Sequence, residues 1–117
     1  MRSYIIFENL DATVEQVSAE FNIDCGQDMR WLAQFELTGG NGEPSICVEE
    51  SINHLGVKIW TTIPNYGDDD GLFPMDKAVI GIRDSYFMGR LIRFTYLPGN
   101  NTSGTIYAQL GEKTKSV

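Results

Sequence analysis

The chain has 117 residues, which suits one domain, because an independent core usually takes ~100 to 200 residues. With 42% hydrophobic and 21% charged residues it is close to the average of globular domains, which argues against a largely disordered or collagen-like chain. No apolar stretch approaches the ~18 residues of a membrane span, and Glu8 follows the first apolar residues too soon for a signal peptide. We therefore expect a single soluble, cytoplasmic domain over residues 1–117, with a tail that frays from about residue 111.

The formal net charge of −7 is distributed unevenly along the sequence. Residues 1–76 contain 14 acidic and three basic residues, a balance of −11, whereas residues 77–117 contain two acidic and six basic residues, a balance of +4. Nucleic acids and anionic membranes attract clustered Lys and Arg, so the acidic excess disfavours both as partners. It favours a basic protein, because opposite fields speed the encounter of two proteins. Acidity of this kind also keeps a soluble protein from aggregating.

The spacing of the apolar residues predicts about seven strands and one helix. Between residues 11 and 21 the apolar residues recur at steps of three and four, which is helical spacing, and Asp11 precedes them as a candidate N-cap. Elsewhere apolar and polar residues mostly alternate, or form short apolar runs between turn residues, as in strands. The strands are expected at residues 3–7, 30–38, 45–50, 55–63, 78–83, 89–97 and 105–110.

The order of these elements determines the expected fold class. Strands that follow one another without intervening helices pair antiparallel, because a parallel pair needs a crossover of about a dozen residues or more. We expect an α+β fold that is mainly antiparallel, a curled sheet or a sandwich-like arrangement, with the helix near residues 11–21 covering one end or face. The apolar faces of the alternating segments predict a core that contains Trp31, Phe35, Val57, Ile59, Ile92, Phe94 and Ile106.

The nucleophilic and titratable residues form no familiar catalytic pattern. Cys25 and Cys47 are not arranged as Cys-x-x-Cys, so we expect reduced thiols, although the sequence leaves a bridge between them open. His54 is the only histidine, and no Gly-x-Ser-x-Gly elbow accompanies it and its neighbours Glu49 and Ser51. We therefore expect His54 to be a surface or turn residue, and the protein to be neither an enzyme nor the carrier of a cofactor.

Three aspartates at residues 68–70 precede Gly71, an arrangement similar to part of a calcium-binding loop. The register does not fit, because placing Gly71 at position 6 puts Tyr66 at position 1 and Lys77 at position 12, where carboxylate ligands are needed. Successive acids in a loop are usually solvated. We therefore predict no metal site, although the sequence alone does not decide whether the three aspartates bind a cation.

The segment 64–76 is predicted to be an irregular loop of 13 residues, which is longer than most connections. It mixes aromatic and methionine side chains with the three aspartates, and Trp60 precedes it, directed outward if Val57 and Ile59 are buried. Apolar anchors within an acidic rim are typical of protein-binding surfaces, although the loop residues could pack on the core and Trp60 could be covered. The predicted partner-binding residues are Glu49, Glu50, Trp60, Tyr66, Asp68, Asp69, Asp70, Leu72, Phe73 and Met75.

These features favour a small, acidic, non-catalytic binding protein that occludes a basic protein partner. Immunity proteins, antitoxins and inhibitors of nucleases or similar toxins act in this way, because a basic groove that accepts phosphates also accepts ordered carboxylates. The sequence does not determine the oligomeric state. Two alternatives to the function of a binding protein remain: a structural or assembly subunit, and a small-ligand carrier with a β-enclosed pocket. A rise of mass with concentration would favour the first, and an apolar pocket of ~300 Å³ or more would favour the second.

Overall fold

The computed structural model describes residues 2–23, 29–63, 71–83 and 90–114, which form ten strands. The strands are β1 (Arg2–Asp11), β2 (Gln16–Val17), β3 (Phe21–Asn22), β4 (Met29–Thr38), β5 (Ser45–Ser51), β6 (Thr61–Thr62), β7 (Leu72–Pro74), β8 (Val79–Arg83), β9 (Leu91–Leu97) and β10 (Thr105–Thr114). Strands β1, β10, β4 and β8 form a four-stranded sheet in that order, and the second sheet has the order β2-β9-β5-β6, with β3 also paired to β9 and β7 to β5. All these pairings are antiparallel, as expected.

The core lies where the two sheets face each other. Every second residue of β4, β5, β9 and β10 is buried along most of each strand, as the pleat of a sheet with one covered face requires. Phe35 of β4 and Phe94 of β9 meet across the two sheets with ring centroids 5.5 Å apart, and Trp31 stands edge-on to Phe94 at 6.1 Å. The predicted core is confirmed at Trp31, Phe35, Ile92, Phe94 and Ile106, which are all buried.

The predicted strand over residues 55–63 is wrong for most of its length. Val57 and Ile59 are 61% and 74% exposed, and the segment bonds to β5 only from Thr61 to Ile63. The cause is a tight turn that begins at His54, where positive φ angles interrupt the extended backbone. The segment therefore leaves the sheet before its alternating residues can be covered.

The predicted helix near residues 11–21 is also wrong, because this segment forms a turn followed by β2 and β3. Asp11 does not act as a helix N-cap. Its Oδ1 accepts hydrogen bonds from the backbone N (2.9 Å) and the Oγ1 (2.7 Å) of Thr13, and these two bonds form a local turn. Val14 and Val17, on the expected apolar face, are exposed. Within the described ranges, no helix is long and apolar enough to cross a membrane.

The strand directions give the sandwich two ends, which we call the clamp end and the hairpin end. The clamp end contains the connections 12–15, 39–44 and 98–104, and the buried Asn101 joins them. Its Nδ2 donates to the carbonyl oxygens of Ala12 (2.9 Å) and Ser103 (2.8 Å), and its Oδ1 accepts from the backbone N of Asn41 (2.9 Å) and Gly42 (3.1 Å). One side chain therefore holds three loops together.

The hairpin end contains the start of β1, the end of β5 and the end of β10. Strand β10 pairs with β4 as far as Thr114, although the sequence placed the start of a frayed tail at about residue 111. Residues 52–60 leave the second sheet at this end, after Ser51, and rejoin it at β6. We call residues 52–60 the apolar hairpin.

Candidate protein-binding surface

The tip of the apolar hairpin is a four-residue turn from His54 to Val57. The backbone N of Val57 donates to the carbonyl oxygen of His54 at 2.9 Å, and the two central residues, Leu55 (φ 52°) and Gly56 (φ 82°), both have positive φ, the pattern of a type I′ turn. Asn, Asp or Gly usually occupies the first central position, because the left-handed conformation costs other residues roughly 1–2 kcal/mol. Here the position holds Leu55, whose exposure is 87%.

Four apolar side chains of the hairpin are exposed together, namely those of Ile52, Leu55, Val57 and Ile59. Single exposed apolar residues are ordinary on protein surfaces, but a contiguous group of them marks an interaction site. The group belongs to one short segment, so its members lie close together. The hairpin is therefore the best candidate for a contact surface in the described part of the chain.

The base of the hairpin is joined to its surroundings by one ion pair and one ring contact, and a second ion pair lies beside it within the second sheet. Lys58 Nζ lies 2.7 Å from Glu20 Oε2, and Arg93 Nε donates to Glu49 Oε1 at 3.0 Å. The guanidinium of Arg93 also lies 4.1 Å from the ring centroid of Trp60, a cation–π contact. These contacts hold the hairpin in place and neutralise four of the charges around it.

A cleft of about 700 Å³ lies beside the hairpin, where it joins the end of β5. Asn53 lies in this cleft with a positive φ of 55°, and its backbone N donates to Ser51 Oγ at 3.2 Å. Asn53 Oδ1 is buried, and no donor in the described part of the chain reaches it. The lining residues are Glu50, Ser51, Ile52, Asn53, His54, Val57, Ile59 and Thr61.

The structure brings three of the predicted partner-binding residues to this surface. Glu50 lines the cleft, and Glu49 and Trp60 lie at the base of the hairpin. Trp60 is half-buried under Arg93, so it is less exposed than a free anchor would be. The exposed hairpin residues themselves were not predicted, although Asn53 and Gly56 are residue types that favour turns.

The predicted loop residues lie elsewhere or outside the described residues. Leu72 and Phe73 are half-buried in β7, which pairs with the part of β5 that is nearest the clamp end. Phe73 also packs against the core. Met75 is buried in the core, so its side chain presents no surface to a partner. The remaining predicted residues, Tyr66, Asp68, Asp69 and Asp70, lie outside the described residues.

The described reactive groups near this surface are Cys47 and His54. Burial raises the pKa of the Cys47 thiol, an effect that the hydrogen bond with Thr62 only partly offsets, so the thiol stays protonated at neutral pH. His54 is exposed in the turn, as expected. Among the described residues, no three His, Cys, Asp or Glu side chains are grouped so as to hold a metal ion.

No protein-family model matches the chain, and no curated protein matches it either. The geometry itself combines an exposed apolar segment, a base whose charges are paired, and a cleft with hydrogen-bond acceptors in its wall. Such a surface can bury apolar area and accept hydrogen bonds.

Proposed function

We propose that the protein is a non-catalytic binding protein that holds a basic protein partner, with the apolar hairpin at the centre of the contact. The observation that carries this proposal is the exposed Leu55 in a left-handed conformation. Leucine in this position weakens the fold, because the backbone is strained and the side chain buries little area. A partner pocket that covers the side chain would recover about 1.5–3 kcal/mol, which is the gain from burying a leucine.

The net charge of −7 supports a basic partner. Two described cations near the hairpin, Lys58 on it and Arg93 on β9, are already paired with acids, and Arg2, Arg30 and Arg83 belong to strands of the first sheet. A basic protein would therefore be attracted by the overall field and held by the apolar hairpin. Inhibition of a nuclease or a similar toxin, as by an immunity protein, an antitoxin or an inhibitor, is the role that fits this combination.

A small-ligand carrier is the second candidate, because the cleft is larger than the ~300 Å³ expected for a ligand pocket. Its apolar walls are the exposed Ile52, Val57 and Ile59, so a ligand would remain partly in water. The space between the sheets is filled instead by aromatic side chains such as Phe35 and Phe94. These observations favour an open contact surface over an enclosed pocket.

Site-specific crosslinking tests the proposal. A photoreactive benzoylphenylalanine replaces Leu55 in the native cell, and a matched control carries it at Gln109, an exposed residue of the four-stranded sheet. We expect position 55 to capture a protein of net positive charge and position 109 to capture none. Capture of the same proteins at both positions, or of an acidic protein at position 55, would refute the proposal. A crosslink between two copies of the chain would establish the assembly alternative instead.

The kinetics of the captured complex test the apolar hairpin and the negative charge of the chain separately. Leu55→Ala is expected to weaken binding by about tenfold, mainly through faster dissociation, because it removes buried anchor area. Replacing Asp68, Asp69 and Asp70 by Asn is expected to slow association and to flatten its dependence on salt, because these residues contribute to the negative field. Rates that stay unchanged in both variants, measured by surface plasmon resonance, would show that the partner contacts another surface.

A further inference from the structure

We propose that two copies of the chain form a symmetric dimer in which their β8 strands pair antiparallel. Strand β8 lies at an edge of the four-stranded sheet, because its neighbour among the described strands is β4 alone. An edge strand presents a row of backbone N–H and C=O groups with which another strand can pair. The inference goes beyond the proposed function, because it concerns another surface and another occupant.

The ladder with β4 shows which backbone groups of β8 face its outer edge. The backbone N of Leu37 donates to the carbonyl oxygen of Ala78 at 2.8 Å, at the end of this ladder. Hydrogen-bonded pairs alternate with non-hydrogen-bonded pairs in an antiparallel ladder, so the even-numbered residues of β8 bond to β4. The N–H and C=O groups that point to the outer edge are therefore those of Val79, Gly81 and Arg83.

The outer edge of β8 is regular and open to solvent. Val79 is 50% exposed, and Gly81 and Arg83 are also exposed. All five residues of β8 pair with β4 in continuous register, and none of them is proline. Strand β1, at the opposite edge, has two register shifts in its ladder with β10 and a positive φ of 50° at Asn9. Such irregularities hinder the addition of another strand, so β8 is the edge better suited to pairing.

The positions of the outward groups select one register for the dimer. A twofold axis through Gly81 places Gly81 opposite its own copy and Val79 opposite Arg83 of the second copy. These are the residues whose backbone groups point outward, so each facing pair can exchange two hydrogen bonds. On the inner face, the same register places the half-buried Ile80 opposite Ile82 of the second copy. Strand β8 is therefore complementary to itself.

The charges on the outer face of the sheet are complementary in the same register. Glu36 is directly opposite Val79 in the ladder, so the two side chains lie on one face, and both are exposed. In the dimer, Arg83 of the second copy follows Val79 on that face, about 10 Å from Glu36 between Cα atoms. Long side chains of opposite charge meet over this distance. Within one copy Glu36 and Arg83 are about 14 Å apart, so the dimer brings them closer.

Sedimentation equilibrium of the full chain over a hundredfold range of concentration tests the dimer. The net charge of −7 opposes the approach of two copies and the shared edge is short, so we expect a weak dimer whose average mass rises with concentration. Arg83→Glu and Glu36→Arg should each weaken dimerisation by roughly fivefold, because like charges then meet at both ends of the contact. The double variant restores opposite charges and should dimerise like the original protein.

Arg30→Glu and Glu43→Arg are the matched controls for the two charge reversals. They change the net charge by the same amounts at exposed positions outside β8 and its facing residues. We expect each control to change the dissociation constant by less than about twofold, because charges away from the contact are screened by salt. The comparison separates a local contact from a general effect of charge.

Disulfide formation measures the register of the dimer. Gly81→Cys places the thiols of two copies on facing residues with Cα atoms about 5.5 Å apart, a distance that a disulfide spans. The nearest atom to a Cβ at Gly81 is the flexible end of the Leu32 side chain, at 3.3 Å, so the variant should fold. Val79→Cys is the matched control, because the two residues 79 do not face each other in this register. In oxidised glutathione, we expect Gly81→Cys to crosslink roughly tenfold faster.

Three results would overturn the inference: an average mass of one chain at every concentration, a dimer equally stable in Arg83→Glu and Arg30→Glu, or equal crosslinking of Gly81→Cys and Val79→Cys. The last two would show that copies of the chain meet through another surface. None of these results decides the proposed function, because Leu55 lies on the apolar hairpin and not on β8.

Discussion

The clamp end and the hairpin end of the sandwich satisfy their polar groups to different degrees. At the clamp end, Asn101 is buried and makes hydrogen bonds to three separate connections. At the hairpin end, Asn53 Oδ1 and the Glu112 carboxylate are buried without a hydrogen bond from the described residues, and Arg2 Nη2 forms an ion pair with Glu112 Oε2 at 3.5 Å. The same end carries the exposed Leu55 in a left-handed conformation.

This contrast separates the part of the chain that stabilises the fold from the part that is available for binding. Natural proteins depart from local rules mainly at functional or strained sites, because elsewhere such departures only lower stability. Here the departures at Asn53 and Leu55 occur beside the cleft and the exposed apolar residues, and Glu112 is buried where β10 pairs with the start of β1. Removing a clamp contact should therefore destabilise the protein, whereas repairing a departure at the hairpin end should stabilise it.

The largest expected effect is that of Asn101→Ala. This change leaves the Ser103 carbonyl oxygen and the backbone N–H groups of Asn41 and Gly42 without the Asn101 side chain, whereas the Ala12 carbonyl oxygen keeps the bond from Tyr96 Oη (2.8 Å). We expect the free energy of unfolding to fall by about 3–5 kcal/mol. Asn100→Ala is the matched control, because Asn100 Oδ1 accepts one exposed hydrogen bond, from Glu43 N, and its loss should cost about 1 kcal/mol or less. Urea unfolding measures both variants. A cost below about 1 kcal/mol for Asn101→Ala would show that the clamp is not what holds this end.

The role of Asn101 also illustrates what a sequence cannot reveal. Its partners Asn41 and Ala12 are 60 and 89 residues away, and a polar turn residue gives no sign of them. The alternation in β4, β9 and β10 was informative because each strand has one covered face. Alternation shows which residues share a face, but another layer must cover that face to bury it. Val57 and Ile59 therefore have a strand pattern and remain exposed.

The helix predicted over residues 11–21 was wrong for a different reason. A helical spacing over so few residues competes with local turn chemistry, and the Asp11 carboxylate favours the turn through its two bonds to Thr13. Strand β9 then supplies partners for the extended chain, as in the bond from Ser18 N to Phe94 O. At the candidate surface, charge and alternation had suggested Glu49, Glu50 and Trp60, whose role in binding stays a prediction. The hairpin was missed because it depends on a turn with an uncommon residue at its tip.

The second prediction concerns Glu112, which is buried at the hairpin end. Burial raises the pKa of its carboxyl group, and Arg2, whose Nη2 lies 3.5 Å from Oε2, offsets this only in part. A raised pKa in the folded state means that stability is fully present below the pKa of the unfolded chain and is lost as the pH rises through the folded value. Raising the folded-state pKa by one unit lowers the free energy of unfolding at neutral pH by about 1.4 kcal/mol.

Glu112→Gln keeps the shape of the side chain and removes this loss. We expect the variant to match the original protein at pH 4 and to be more stable at pH 8, by urea unfolding at a series of pH values. Glu36→Gln is the matched control, because Glu36 is an exposed carboxylate on β4. If Glu112→Gln is less stable than the original protein at pH 8, the ion pair with Arg2 outweighs the cost of burying the charge.

A smaller gain is expected from Leu55→Asn, because asparagine tolerates the left-handed conformation that strains leucine. The free energy of unfolding should rise by about 1 kcal/mol, while binding of the crosslinked partner weakens. Gly56→Ala is the opposite control: a Cβ at Gly56 would meet nothing within 4 Å, so its cost of about 1 kcal/mol would come from the backbone alone. Differential scanning calorimetry measures both changes. A loss of stability in Leu55→Asn would mean that the leucine side chain supports the fold.

The smallest effect is expected from Ile59→Ala, which tests whether the hairpin is separate from the core. Ile59 is exposed and Ile92 is fully buried, so the same truncation at the two positions forms a matched pair. We expect less than about 0.5 kcal/mol of destabilisation for Ile59→Ala, because a surface side chain loses few contacts. Ile92→Ala should cost about 2–5 kcal/mol, because it opens a cavity between the sheets. Urea unfolding compares the two variants under one set of conditions. A cost above about 1 kcal/mol for Ile59→Ala would mean that the hairpin packs against its own protein in solution, which would remove the apolar surface on which the proposed binding depends.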